Sequence, residues 1–360
     1  MDKIKTAFVT FFPIKPDSMG SSAVVNSRYN CWPYKKKAFQ ISHIQKINNR
    51  NIETIFIKKE NPINKILKLP EMIFRTLRFL KKAKKKILII EGASWIFYSF
   101  FVIFFFKIFG SNTKIIYISH SVESEIRKKY SNKFIFLLTN LFEKLVFRFS
   151  DISTSVSVRE KRKIKFLFNV NTILLPNGIN LNPIKRKKIL NYDYIIYTGS
   201  YSYKPNKVAI DLLNKSIMPS LVKRIPNLKL VLTGGGFEKK YPWLVNKGIV
   251  SKPKLYNLLF FSKCLCVPLK FGSGTRIKII EALSLGTVVI STKIGIEGIR
   301  LNFINPPFII NKDTKIIKKI IQIVKENKKF KKKAMNSSDF YLKNYSMKSI
   351  VKKFIYENKI

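Results

Sequence analysis

The chain has 360 residues, enough for two domains of ordinary size with a core each. Apolar residues at 46% and aromatics at 13% exclude a disordered protein, and three cysteines with two histidines exclude a disulfide framework and a histidine-rich metal site. The net charge of +49 raises nucleic acid or an anionic membrane as partner, but it runs along the whole chain, which argues against nucleic acid and points in part to compositional bias.

Lys5 to Phe12 reads as a first buried strand, too near the start of the chain to leave room for a signal peptide. The loop Pro13 to Ser22 follows, and Ile52 to Ile57 is a further strand. Ile63 to Lys86 reads as two helical pieces divided by Pro70, mixing Ile66, Leu69, Met72, Ile73 and Leu77 with Lys65, Lys68, Arg75 and Arg78. Such a basic amphipathic stretch suits an anionic membrane surface and equally an ordinary surface helix. Ile87 to Glu91 is a strand. The uncharged run Gly92 to Phe106 is about 15 residues, short of the roughly 20 that span a bilayer, so it reads as a buried helix.

Ile115 to Ile118 is a strand that delivers His120 at its carboxyl end, where open α/β sheets bind ligands. The plain alternative is a histidine that caps the next helix. Asp151 to Val158 and Thr172 to Leu175 are short strands, Pro176-Asn177-Gly178 is a sharp turn, and residues 180–191 read as a linker. Tyr194 to Thr198 opens the second half and leads into Gly199 and on to Lys204. Leu228 to Leu232 enters Thr233-Gly234-Gly235-Gly236, a second glycine loop at a strand end. Cys264 and Cys266 sit two apart in one apolar strand, Cys264 to Leu269, which favours a reducing compartment.

That strand begins the most informative stretch. Residues 270–274 are a loop, Thr275 is placed to cap a helix with Ile277, Ile279, Ile280, Leu283 and Leu285 on its apolar face, and Thr287 to Ser291 is again a strand. Strand, helix and strand so tightly joined form a βαβ unit with parallel strands. A glycine loop at a helix amino end favours an anion. Arg276 and Lys278 add full charge in the first turn, where the helix dipole disfavours cations. Glu281, about 1.5 turns on, is a carboxylate placed to accept bonds from a sugar diol. The rival reading is a glycine turn into a core helix with two solvated cations. Residues 312–360 read as helical and lysine-rich, with Asp339 to Tyr356 as one last helix.

Gly272-Ser273-Gly274-Thr275-Arg276-Ile277-Lys278, running into Glu281-Ala282-Leu283 and on to Ile294-Gly295-Ile296-Glu297-Gly298, resembles the donor-binding segment of group 1 (family 4) glycosyltransferases. The likeness is to the branch with a GSGTR-x-K-x-x-E-A motif, and most of the chain can be laid against that family. The resemblance implies a GT-B fold, α/β throughout, with two Rossmann-like domains facing across a cleft and a last helix crossing back. The expected domains are 1–183 for the acceptor, 184–338 for the nucleotide sugar, and 339–360 as the returning helix.

The resemblance also implies roles. His120 and Glu281 take the catalytic positions. Arg276, Lys278, Lys204, Gly274 and Thr275 hold the donor diphosphate, while Ser273, Gly199, Gly234 and Glu297 line the nucleotide and sugar. Gly20 and Ser21 form the cleft loop toward the acceptor, with Met19 where a second glycine is common. Two departures stand out: Ser200 occupies the usual arginine position, and Ser273 stands where the first of two glutamates is usual. Glu297 is a candidate substitute, or starts a helix.

No Asp-x-Asp occurs, so the leaving diphosphate falls to cations and helix N–H groups, and no metal or cofactor is expected. The implied activity is retaining transfer of a sugar, of hexosyltransferase type, from a nucleotide sugar to a glycan or lipid-linked acceptor in surface polysaccharide synthesis. The expected setting is cytoplasmic, with peripheral contact to an anionic membrane on its inner face and no nucleic-acid partner. The alternatives are a GT-B sugar-nucleotide epimerase and a non-catalytic basic protein that binds membrane or nucleic acid. Donor base, sugar, acceptor and oligomeric state are not written in the sequence.

Overall fold

The computed structural model describes the chain apart from residues 1–2, 15–19, 44–49, 93–94, 182–184 and 273. Ser273 and the Met19 part of the cleft loop therefore lie outside the described residues. The chain divides into two compact units, one of residues Met1–Gly178 with Ile350–Ile360 and the other of Ile179–Ser349.

The first unit is built on strands β1 (Ile4–Thr10), β2 (Lys35–Ser42), β3 (Ile52–Phe56), β4 (Lys85–Gly92), β5 (Thr113–Ser119), β6 (Ile152–Ser155) and β7 (Ile173–Leu174). They form one sheet in the order β3-β2-β1-β4-β5-β6-β7, every pairing parallel. The central strands are buried on both faces, which is why β4 and β5 read as unbroken apolar runs, Ile87 to Ile90 and Ile115 to Ile118. The second unit repeats the plan with β8 (Tyr194–Thr198), β9 (Lys229–Thr233), β10 (Leu244–Asn246), β11 (Cys264–Val267), β12 (Val289–Ser291) and β13 (Phe308–Ile309). Its order is β10-β9-β8-β11-β12-β13, again all parallel.

In each sheet the strand order reverses beside the first strand, between β1 and β4 and between β8 and β11. Open α/β sheets bind ligands at that point, beyond the strands' carboxyl ends.

Several expectations need correction. Lys35-Lys36-Lys37 opens a strand that composition hides, because only its second half, Ala38 to Ser42, is buried. The helical stretch after β3 breaks at Lys68 into Pro62–Leu67 and Leu69–Leu80, and Pro70 lies in the first turn of the second piece, where its missing N–H costs nothing. The apolar helix is Ile96–Phe109, and it buries only the face that carries Val102, Ile103 and Phe106. Ser157 caps a helix over Val158–Phe168, so β6 stops at Ser155. The expected last helix is two, Ser338–Tyr345 and Met347–Glu357, with Ser346 extended between them and bridged to Ile179. Tyr341 and Tyr345 pack in the second unit's core, while Val351 and Phe354 lie in the segment grouped with the first unit.

Candidate active site

In the second unit the reversal point gathers the glycine loops after β8, β9 and β11. Gly199 has φ +141° and Gly234 φ +120°, conformations an L side chain rarely takes. A Cβ on Gly234 would lie 2.4 Å from the Gly199 carbonyl oxygen, and one on Gly199 would lie 2.6 Å from Asn206 Nδ2 and 2.7 Å from Lys278 Nζ. The third loop joins them, since a Cβ on Gly272 would meet Arg276 Nη2 at 3.0 Å and Pro205 at 3.3 Å. Gly199, Gly234, Gly272, Arg276 and Lys278 therefore converge. Lys204, exposed, opens the Lys204–Leu212 helix beside Pro205.

Asn206 ties this cluster together, and sequence reasoning missed it. Its Oδ1 accepts from Tyr197 Oη at 2.7 Å and from Lys278 Nζ at 2.9 Å, while its Nδ2 donates to the Ser200 carbonyl at 2.9 Å. Lys278 Nζ also stands 4.2 Å from the Tyr197 ring centroid, a cation–π contact. Burial first, and the neighbouring Arg276 second, lower the Lys278 pKa to about 7 against an opposing pull from Glu281. The signal available beforehand was an amide in the first helical turn after a glycine loop, a position where Asn is a poor helix former but a good loop anchor.

The helix after the third loop spans Ile277–Ser284 and has Arg276 at its N-cap, without a side-chain cap bond. The expected cap by Thr275 is not made. Its Oγ1 is buried without a hydrogen-bond partner among the described residues, which leaves a hydroxyl free at the loop. Arg276 Nη1 instead donates to the Gly274 carbonyl. Glu281 is buried, and its Oε1 accepts from Lys252 Nζ at 2.5 Å and Tyr256 Oη at 3.2 Å. Both bonds fall on Oε1, so Oε2 remains to accept from a ligand. Glu297 lies within a run of turns, Lys293 to Gly298, and starts no helix. That run is docked by Thr292 Oγ1, which donates to the Leu269 carbonyl at 2.6 Å.

In the first unit the reversal point holds a different constellation. Gly20 and Ser21 open the Gly20–Cys31 helix, which carries Arg28 two turns on. Arg28 and Glu91 are fully buried and paired, with Nη1 at 2.6 Å from both carboxylate oxygens. His120, at the end of β5, brings Nε2 to 2.7 Å from Glu91 Oε2. Burial works to raise the Glu91 pKa, but the Arg28 guanidinium and the His120 bond outweigh it and hold the carboxyl below its ordinary value. An ionised carboxylate only accepts, so Nε2 carries the hydrogen and Nδ1 is the ring's other polar atom. Arg28 and Glu91 were not singled out from sequence. Among the described residues no three His, Cys, Asp or Glu side chains form a group able to hold a metal ion.

Two Rossmann-like α/β units, each built on a parallel sheet whose strand order reverses beside its first strand, give the GT-B fold. Solved structures of that fold align over nearly the whole chain. Sucrose-phosphate synthase from Thermosynechococcus elongatus matches with TM-score 0.73 at 13% identity, over 99% of this chain and 98% of that one. The Anabaena protein HepE in complex with UDP-glucose matches with TM-score 0.70 at 11% identity, over 98% and 99%. Residues 192–326, within the second unit, match the family model described as Glycosyl transferases group 1. An uncharacterized 44.6 kDa protein in the cps region of Klebsiella pneumoniae is 27% identical over 202 residues, 52% of this chain and 52% of that protein. The match spans about half the length of that relative.

Proposed function

We propose that the chain is a retaining, metal-independent glycosyltransferase that moves a hexose from a nucleoside-diphosphate sugar to a glycan or lipid-linked acceptor in surface polysaccharide synthesis. The observation that carries this reading is the convergence of Arg276, Lys278 and the glycines Gly199, Gly234 and Gly272 at one strand-order reversal. Loops without Cβ atoms admit a diphosphate to the backbone, and the two cations with the exposed Lys204 offset its growing charge as the glycosidic bond breaks. That electrostatic role is what makes a metal unnecessary in this proposal. The UDP-glucose held by HepE and the cps-region location of the Klebsiella relative support donor class and pathway respectively.

In this mechanism Glu281 Oε2 accepts from a donor sugar hydroxyl, and His120, oriented by Glu91, serves the transferred sugar. The acceptor hydroxyl attacks from the face the diphosphate leaves, and the diphosphate takes its proton, so configuration is kept and protons balance. The acceptor is reached at the inner face of the cytoplasmic membrane.

The test is a thermal-shift screen against UDP, GDP, CMP, ADP and their sugar conjugates, with and without magnesium. A shift by one nucleotide family, kept without metal and lost in Arg276→Ala, supports the reading. A well-folded protein that answers to none of them overturns it.

A further inference from the structure

The helices Ile96–Phe109 and Lys133–Phe149 pack against each other in the first unit. Each buries one face, with Val102, Ile103 and Phe106 on the first and Val146 and Phe147 on the second. Their outer faces are not polar. Phe104, Phe105, Phe109, Phe134, Leu137 and Leu141 are all exposed, Phe109 by 62% and Phe134 by 71%.

The rings form a continuous array. Phe142 of the second helix touches Phe100 of the first at a centroid distance of 4.7 Å. Steps of 6.0 Å then lead through Phe104 and Phe105 to Phe109. A contiguous apolar patch of this kind marks an interaction surface, not scattered surface hydrophobes.

The charge around it identifies the occupant. The two helices contain one acidic residue, Glu143, and it is buried, accepting from the backbone N–H groups of Glu123 and Ser124. Lys133, Lys144 and Arg148 stand on the second helix, while Lys107 is neutralised by Asp151 at 2.6 Å. A second copy of a chain with net charge +49 would set like charge against like. No helix among the described residues is long and apolar enough to cross a bilayer. Phenylalanine beside lysine with no free carboxylate is the chemistry of a helix face lying in an anionic lipid interface.

We propose that this face docks on the surface of an anionic bilayer, the phenylalanines entering the boundary between headgroups and acyl chains and the basic residues meeting lipid phosphates. It deepens the reading of a lipid-linked acceptor and rests on it for its purpose, but its test needs no turnover, so the two fail separately. The surface differs from the one the sequence suggested. The stretch 63–86 buries Leu69, Met72, Ile73 and Leu80 and exposes Ile63, Leu67 and Phe74, without an aromatic array like that of Ile96–Phe109.

The experiment is co-sedimentation of the full chain with vesicles of phosphatidylcholine alone and with added phosphatidylglycerol, at low and high salt. Expected are binding that requires phosphatidylglycerol and weakens with salt, and partition reduced roughly tenfold or more by Phe105→Ser with Phe109→Ser at unchanged Tm. Lys144→Glu with Arg148→Glu lowers binding to the anionic vesicles alone. Undiminished binding by the phenylalanine variant overturns the proposal, as does absence of binding at low salt. So does a concentration-dependent dimer that the phenylalanine variant dissolves, since the face would then meet a second copy.

Discussion

Lys278 allows the proposed donor site to be probed through protons. Its ammonium is fixed by Asn206 and the Tyr197 ring, and burial and Arg276 bring its pKa to about 7. A free lysine titrates near ~10.4. A diphosphate bound between Gly199 and Gly272 would restore the counter-charge and lift the value again, so binding above neutrality must take up a proton. At pH 8.5, a group with pKa about 7 is protonated in roughly one site in thirty. Affinity for UDP should then fall by about tenfold per pH unit between pH 7.5 and 9. The nucleotide does not confuse the reading there, because a terminal phosphate with second pKa near ~6 is already ionised.

Calorimetry at pH 8.5 in two buffers of different ionisation enthalpy measures the uptake directly. We expect about one proton per UDP bound in the wild type and almost none in Lys278→Arg, whose guanidinium does not titrate. In the unliganded protein the sign is opposite to that of an ion pair. A lysine depressed in the fold costs stability fully below about pH 7, and the cost fades as pH rises toward the unfolded value. Lys278→Met should therefore raise Tm more at pH 6.5 than at pH 9. Wild-type binding with no proton uptake and a flat pH profile would refute the assignment of Lys278 to the diphosphate.

Outcomes elsewhere in the molecule are equally specific. Gly199→Ala places a Cβ 2.6 Å from Asn206 Nδ2 at φ +141°, so it should cost about 1–3 kcal/mol by denaturant titration and abolish the nucleotide-induced thermal shift. Glu91→Ala leaves Arg28 buried without its carboxylate and should cost about 3–5 kcal/mol, whereas Glu91→Gln should fold but lose turnover with a changed pH–rate profile. Because the Glu91 carboxyl lies low, its contribution is present above the unfolded pKa of about 4.3 and lost as pH falls through the folded value, so acid unfolding of Glu91→Gln should be shallower. Sugar transfer should persist in a chelator, measured as nucleotide release with acceptor present, within about twofold of the rate with magnesium.

What the sequence made legible follows from how local each signal is. The central strands β1, β4, β5, β8 and β11 are short apolar runs between turn residues, and the glycine loops after β8, β9 and β11 announce themselves because their backbone needs no side chain. The edge strands β10 and β13, of three and two residues, give no periodicity to detect. Glu91 could only be read as the end of a strand, since its partners lie 63 and 29 residues away in sequence. Asn206 was hidden for the same reason, its bond to Lys278 closing 72 residues. Phe104 and Phe105 read from sequence as part of a buried helix yet are exposed, because hydrophobicity says which residues avoid water, not which neighbour covers them.

The two reversal points treat buried charge in opposite ways, and the contrast bears on function. In the first unit Arg28 is answered by Glu91, so the pair is neutral and can serve as a fixed mount for His120. In the second unit the nearby carboxylate of Glu281 is turned onto Lys252, and Lys278 is left with an amide and an aromatic ring, both neutral. Folding alone would favour pairing Lys278 with Glu281 one turn away, since a depressed lysine destabilises the fold. A site that holds this lysine beside backbone with no Cβ atoms has the stability cost of its protonated form relieved by losing the proton or by an arriving anion, and near neutrality the anion is what keeps the charge in place. That favours anion binding over packing as the explanation of Lys278, and it supports the proposed role of the order Gly272 to Lys278 in holding a departing diphosphate.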